Sequence, residues 1–374
     1  PEKIVVTIEQ EVEHEINLAW EKASEGKPAC GINKISEYGQ SPERVEVAES
    51  QRKLSYREAV AEAYLQAMEN DPRVFLIGEG VDGITGIYGT TLLAYKKFGP
   101  SRVIDTPISD AAITGIAIGA AIVGMRPVIM HQRNDFMLVV MDQIVSHAAF
   151  WKYMTGGRLS VPVTIRSYVA RKSGEAGQHT GSWQAMFGHV PGLKVVMPST
   201  AYDAKGLTLA AISDDDPVLI LENRVLNENE DAVPETPYSV SIGKAKIVKS
   251  GKDITIVAVS AAVLDALKAA DVLLENNQIS AEVIDLVSIR PIDKETLFSS
   301  VRKTGKMIAV DTGFKTCGVG AELCALVAEE LGPVTVRRIG MKEVPAPAAD
   351  TLVRTGYHPD AKQIVEIAKE MFLN

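Results

Sequence analysis

The 374-residue chain has room for two domains with full cores, and its formal net charge of −9 argues against a nucleic-acid surface, which needs clustered Lys and Arg. A hydrophobic content of 46% is ordinary for a soluble globular protein, and no apolar run reaches the roughly 18 residues of a membrane span. The N-terminal stretch PEKIVVTIEQEVEHE lacks a signal peptide's basic flank and apolar core. The three cysteines, Cys30, Cys317 and Cys324, form no CxxC pair, so the sequence predicts a cytoplasmic protein bound to neither nucleic acid nor membrane.

Residues 1–50 read as an extension. Ile8, Val12, Ile16 and Trp20 recur every four residues and predict one amphipathic helix. A polar linker or arm follows, packed on its own domain or on a partner subunit. From Leu54 helices and strands alternate. LSYREAVAEAYLQAMEN reads as a helix, RVFLIGEG and RVIDTP as strands, and DAAITGIAIGAAIVG as a buried helix. RPVIMH is a strand, FMLVVMDQIVSHAAFWKYM one helix, and VPVTIRSY a strand. LKVVMP, AYDAKGLTLAAIS and PVLILEN repeat the scheme. Strands this continuously apolar are buried on both faces, as in a parallel sheet. Prolines and acids in EDAVPETPYSV break the pattern. The chain then divides into the extension over 1–50, an α/β unit over 51–235 and a second over 236–374. In the second unit SAEVIDLVSI reads as one strand.

Chemistry concentrates after strands. Asp110 sits where a strand hands over to the dry helix. A cap on free backbone N–H groups explains it. So does a functional carboxylate whose hydrogen bonds strengthen in a low dielectric. GQHTGSWQAMFGH offers His179, the better catalytic candidate by its place in a loop after a parallel strand. His189 fits a structural role. MHQRNDF carries His131, Arg133, Asp135 and Phe136, either a solvated turn or a polar pocket floor with an aromatic platform. GVGAEL is a fragment of a dinucleotide fingerprint, explained by a tight turn into a helix. The chain has no GxxxxGK[ST] loop and no GDG motif.

In order along the chain, RVIDTPIS, GIAIGAA, MDQIVSHAA, QHTGSWQAMFGHVPGLKVVMPS, DAKGL, PVLILEN, IRPID and GVGAEL resemble the beta chain of the 2-oxo-acid dehydrogenase decarboxylase component. The resemblance runs from about Leu54 to the C-terminus and extends to transketolase-like enzymes. It implies an α/β fold of two doubly wound domains, a pyrimidine-binding thiamine-diphosphate domain and a transketolase C-terminal-like domain. It also implies an alpha subunit whose GDG motif holds magnesium and the diphosphate, in an alpha2-beta2 assembly. The function implied is cleavage of a bond next to a ketone carbonyl, by 2-oxo-acid decarboxylation or by ketol or acyl transfer. Half of a split transketolase, or a catalytically silent scaffold or regulatory subunit, are the alternatives. Whether a lipoyl transacylase joins the assembly is left open.

Carried over residue by residue, Asp110 stands where the family has a Glu that hydrogen-bonds a ring nitrogen of the aminopyrimidine. Phe136 matches the aromatic residue stacked on that ring, and His179 the active-site His. Glu79 in GEGV matches the first acid of the family's GEEV, with Gly80 in place of the second. Asp214 and Asp216 fall where some members bind a structural potassium ion. MHQRNDF replaces an apolar, acid-led segment. With Arg171 and Lys172, its His131 and Arg133 point to a more polar or anionic substrate than pyruvate.

Overall fold

The computed structural model describes residues 2–24, 52–83, 85–169 and 175–373. The expected linker and the two basic residues Arg171 and Lys172 lie outside the described residues. The extension is helical over Glu2–Ser24, and Val12, Ile16 and Trp20 of its apolar stripe are exposed.

The first unit begins with β1 (Lys53–Ser55), followed by the helix Tyr56–Asn70. Ser55 starts that helix with a capping box. Its hydroxyl accepts from Glu58 N at 3.4 Å, and the Glu58 carboxylate accepts from Ser55 N at 2.9 Å. Six strands then run parallel: β2 (Val74–Gly78), β3 (Val103–Asp105), β4 (Arg126–His131), β5 (Thr164–Val169), β6 (Lys194–Val196) and β7 (Val218–Asn223). Their spatial order is β6-β7-β5-β4-β2-β3. Every residue of β2, β5 and β7 is buried, which explains the apolar run of β2 and requires the buried Arg166 of β5 to pair with Glu222 of β7, 2.6 Å apart. β8 (Glu230–Ala232) returns to pair antiparallel with β1.

The second unit is a five-stranded sheet. β9 (Lys246–Lys249), β10 (Ile254–Ala258) and β11 (Ala281–Asp285) precede β12 (Ser288–Arg290), β13 (Lys306–Phe314) and β14 (Thr335–Met341). The order is β14-β13-β10-β11-β9, parallel except for β9. β12 leaves this unit and pairs antiparallel with β6, at the edge of the first sheet. The expected single strand SAEVIDLVSI is therefore two. Val287, at φ 56°, turns the chain between them, and its N–H is held by the Asp285 carboxylate at 3.0 Å. One apolar core runs through both units, from Ile77 and Ile129 to Val257, Ile284 and Leu323.

Two helix expectations change. The stretch expected as one helix after β4 divides into a 3-10 turn over Phe136–Val140, a wide π turn over Gln143–Ala149 and a short α-helix over Trp151–Met154. The dry helix, Asp110–Ile122, is only half covered. Ile113, Ala117 and Ile118 pack into the core while Ile116 is 60% exposed. Composition marked the helix as apolar all round but could not say what covers its outer face.

Candidate active site

The parallel strands end together at one edge of the first sheet. From β2 the chain moves outward to β3, then crosses back to place β4 on the other side of β2. That reversal leaves a crevice beyond the carboxyl ends of β2 and β4, the usual place for a ligand in an open α/β sheet.

Glu79 follows the last residue of β2. The turn after it is shaped by Asp105, whose Oδ1 accepts from Gly80 N at 2.6 Å and Val81 N at 3.1 Å. Gly80 has φ 70°, a left-handed conformation that disfavours the acid expected there by family pattern. From the far wall, Gln132 donates its side-chain amide to the Glu79 carbonyl at 3.1 Å. The Glu79 carboxylate itself is half-buried and takes no hydrogen bond or ion pair among the described residues.

Asp110 is placed differently. It is the first residue of its helix, after Ser109, whose side chain makes no capping bond. Its Oδ1 lies 3.0 Å from His131 Nδ1, and His131 Nε2 lies 3.0 Å from the Thr114 hydroxyl, one turn further along the same helix. The His131 hydrogen bond holds the Asp110 carboxyl below the usual carboxylate range, against the opposing effect of partial burial. The His131 side chain, 2% exposed, lies behind Asp110 and was expected at the pocket surface.

Phe136 and His179 are brought together. Their rings meet edge to face with centroids 5.4 Å apart, and Phe136 is 41% exposed. Asn134 and Asp135 build the support beneath them. Asn134 donates to Tyr168 O at 3.1 Å and Gly181 O at 2.9 Å. Asp135 accepts from Gly181 N at 3.0 Å and Trp183 Nε1 at 3.1 Å. The second unit braces the same loop, where Gln184 donates to the buried Asp311 carboxylate at 2.6 Å. His189 is exposed and outside this support.

Asp214 and Asp216 have a partner other than a metal ion. The buried Lys194 ammonium lies 2.7 Å from Asp214 Oδ2 and 3.3 Å from Asp216 Oδ2, and Lys152 also reaches Asp216. Two ammonium groups already balance the two carboxylates, so the pair does not fit a potassium site. No group of three or more metal-ligating side chains occurs among the described residues.

Comparison with known proteins places this geometry in a family. Residues 52–228 match the transketolase pyrimidine-binding domain and residues 243–364 the transketolase C-terminal domain. The chain is 43% identical to the pyruvate dehydrogenase E1 component subunit beta, mitochondrial, of Pisum sativum, over 86% of this chain and 90% of that one. The chain belongs to the beta subunits of the thiamine-diphosphate-dependent 2-oxo-acid dehydrogenases. This beta subunit is also 40% identical to the acetoin:2,6-dichlorophenolindophenol oxidoreductase subunit beta of Cupriavidus necator, over 85% of its own length and 97% of that protein. Among solved structures, a split-gene transketolase described as an inactive beta4 tetramer shares the fold, with TM-score 0.70 and 24% identity over 85% of this chain and 98% of that one.

Sequence reasoning missed Glu175 and Arg224. Arg224 donates to Glu175 Oε1 at 2.7 Å, and Arg133 Nη1 lies 2.8 Å from Glu175 Oε2. Each follows a different strand, so no local spacing links them. The available signal was the appearance of a charge just beyond the ends of β4, β5 and β7.

Proposed function

We propose that this beta subunit supplies the pyrimidine end of a thiamine-diphosphate site and, with a separate alpha chain, cleaves the bond next to the carbonyl of a 2-oxo acid or ketol. The observation that carries the reading is the crevice between β2 and β4, which gathers an unpaired carboxylate, Glu79, and an exposed aromatic ring, Phe136, beside His179. These residues fit a planar aminopyrimidine. Phe136 offers a face or edge for stacking and Glu79 an acceptor for a ring N–H. The Thr106 hydroxyl, at the end of β3, is buried with no partner among the described residues and is a further acceptor or donor at this edge.

When bound, thiamine diphosphate supplies a nucleophilic carbon for attack on the carbonyl. Glu79 holds the proton on the ring nitrogen and so sets the basicity of the ring. Asp110, the sequence's first choice for that role, already gives one oxygen to His131. We therefore assign it to holding His131 behind the crevice. His179 stabilises negative charge developing on the substrate oxygen.

The chain carries no GDG motif, so magnesium and the diphosphate are assigned to the alpha chain. Ile108, Ile116 and Val139 are 77%, 60% and 64% exposed and flank the crevice, an apolar surface suited to subunit contact in an alpha2-beta2 assembly. No described helix is long and apolar enough to cross a membrane, and Cys317 and Cys324 are free thiols, which suits a reducing compartment.

Calorimetric titration tests the division of labour. The isolated chain is expected to bind thiamine diphosphate weakly with or without magnesium, and the alpha–beta assembly tightly and only with magnesium. Tight, magnesium-dependent binding to the isolated chain contradicts it.

A further inference from the structure

We infer that Arg133, Glu175 and Arg224 form a specificity site for an anionic group at the far end of the substrate, a distal carboxylate or phosphate. The inference rests on the cofactor site proposed above and names the substrate class for it. Three neighbouring strands, β4, β5 and β7, deliver the cluster to the same sheet edge as Phe136 and His179. Arg133 begins the turn into Phe136, whose N–H donates to the Arg133 carbonyl at 3.2 Å. Glu175 lies four residues before His179, in the loop that carries it. The two loops that pair the rings also carry the charges.

The charge count is uneven. Among the described residues one carboxylate bridges two guanidinium groups, at 2.8 Å to Arg133 and 2.7 Å to Arg224, leaving one positive charge. The three side chains are between 17% and 28% exposed, so a ligand can reach them and solvent screens them only partly. The Arg133 contact is poorly aligned for a hydrogen bond, which leaves Nη1 buried without one. Arg224 is held in place by its stack on Tyr88, 4.6 Å from guanidinium carbon to ring centroid, and Tyr88 packs edge to face on Tyr168. Tyr88 lies in a turn with φ 60°, a strained conformation for a non-glycine residue. Beside Arg224, the fully buried Asn223 keeps an amide Nδ2 with no partner among the described residues. A fixed planar cation, a second cation with an unused donor and an unsatisfied amide fit an anion better than a neutral chain.

The test uses the alpha–beta assembly loaded with thiamine diphosphate and magnesium, with 2,6-dichlorophenolindophenol as electron acceptor. 2-Oxoglutarate is compared with 2-oxopentanoate, and fructose 6-phosphate with fructose. Within each pair only the end group differs, and the two pairs separate carboxylate from phosphate. The wild type is expected to favour the anionic member of at least one pair by roughly 30-fold or more in kcat/KM. Arg133→Gln and Arg224→Gln are each expected to remove most of that preference while leaving the uncharged member within about threefold. Glu175→Gln, which removes the competing carboxylate, is expected to widen the preference. Equal losses on charged and uncharged substrates would make the cluster a structural clamp and overturn the inference, as would a wild type indifferent to the end group. Calorimetry with glutarate against pentanoate keeps the test separate from turnover. An assembly that turns over nothing yet prefers glutarate in an arginine-dependent way contradicts the cofactor reading and sustains the anion site.

Discussion

Two acids stand at the ends of adjacent strands, and their surroundings divide them. Asp110 follows β3, gives an oxygen to His131 at 3.0 Å and is held below the usual carboxylate range by that bond. Glu79 follows β2, and its carboxylate has no partner among the described residues. A half-buried carboxylate without a protein partner is a cost unless a ligand or water supplies one. Asp110 is therefore tied by one oxygen to His131, while the Glu79 carboxylate is held by no described residue. The comparison shows that position at a strand end nominates a residue, while its hydrogen bonds decide what it is free to do.

The comparison breaks most readily at Glu79. Glu79→Gln keeps the shape of the side chain but replaces the acceptor pair with an amide. Turnover by the alpha–beta assembly is expected to fall by about 10²–10⁴-fold, the range of a lost acid–base group. Steady-state kinetics at saturating cofactor checks this, and loss within threefold assigns the role elsewhere. His179→Ala comes next, with kcat lowered by about 10²-fold or more and cofactor affinity nearly unchanged. If calorimetry instead shows a matching loss of thiamine diphosphate affinity, His179 holds the cofactor rather than the substrate.

Asp110→Asn sharpens the contrast from the other side. The amide can still meet His131, so turnover is expected to fall only about tenfold, near the value of one hydrogen bond of about 1.4 kcal/mol. Asp110→Glu is expected to be neutral or worse, because an added methylene pushes the carboxylate past His131 into packed surroundings. A glutamate variant faster than wild type would show the shorter acid to be an impairment.

The smallest effect concerns a carboxylate far from either strand end. Burial pushes the Asp285 carboxyl up to about 7, although the Ser199 hydroxyl and Val287 N–H both donate to it. Its raised folded value means that the native chain holds a proton the unfolded chain has released between about pH 4 and 7. Stability from this group is present at the acid end of that window and is lost as pH rises through it. Between pH 5 and 8 the melting temperature of wild type is expected to fall more than that of Asp285→Asn. Parallel slopes in thermal unfolding would remove Asp285 as the cause.

Much of the fold was legible because strands buried on both faces are mostly apolar, and β2 and the central residues of β4 and β7 wrote that pattern locally, while β5 hides a charge, Arg166, paired with Glu222. β12 was not legible. Its residues look like a continuation of β11, and only the turn at Val287 and the pairing with β6 assign it to the other sheet. The exposed face of the Asp110–Ile122 helix was hidden for a related reason, since sequence shows that a side chain is apolar and not what covers it. His179 and Phe136 were nominated by their loops after parallel strands, and the family resemblance supplied their expected roles. The partner of Asp110 was not, because His131 reaches it across two strands and shares no spacing with it. Glu175 and Arg224 escaped on the same ground.

Exchange of the thiazolium proton tests the assignment of the two acids most directly. Bound thiamine diphosphate in the alpha–beta assembly would be followed by NMR after transfer to heavy water, for wild type, Glu79→Gln and Asp110→Asn. The account predicts fast exchange in wild type, exchange slowed to near the free-cofactor rate in Glu79→Gln, and exchange within about tenfold of wild type in Asp110→Asn. A Glu79→Gln assembly that exchanges as fast as wild type, with Asp110→Asn slow, would contradict it and return the ring nitrogen to Asp110.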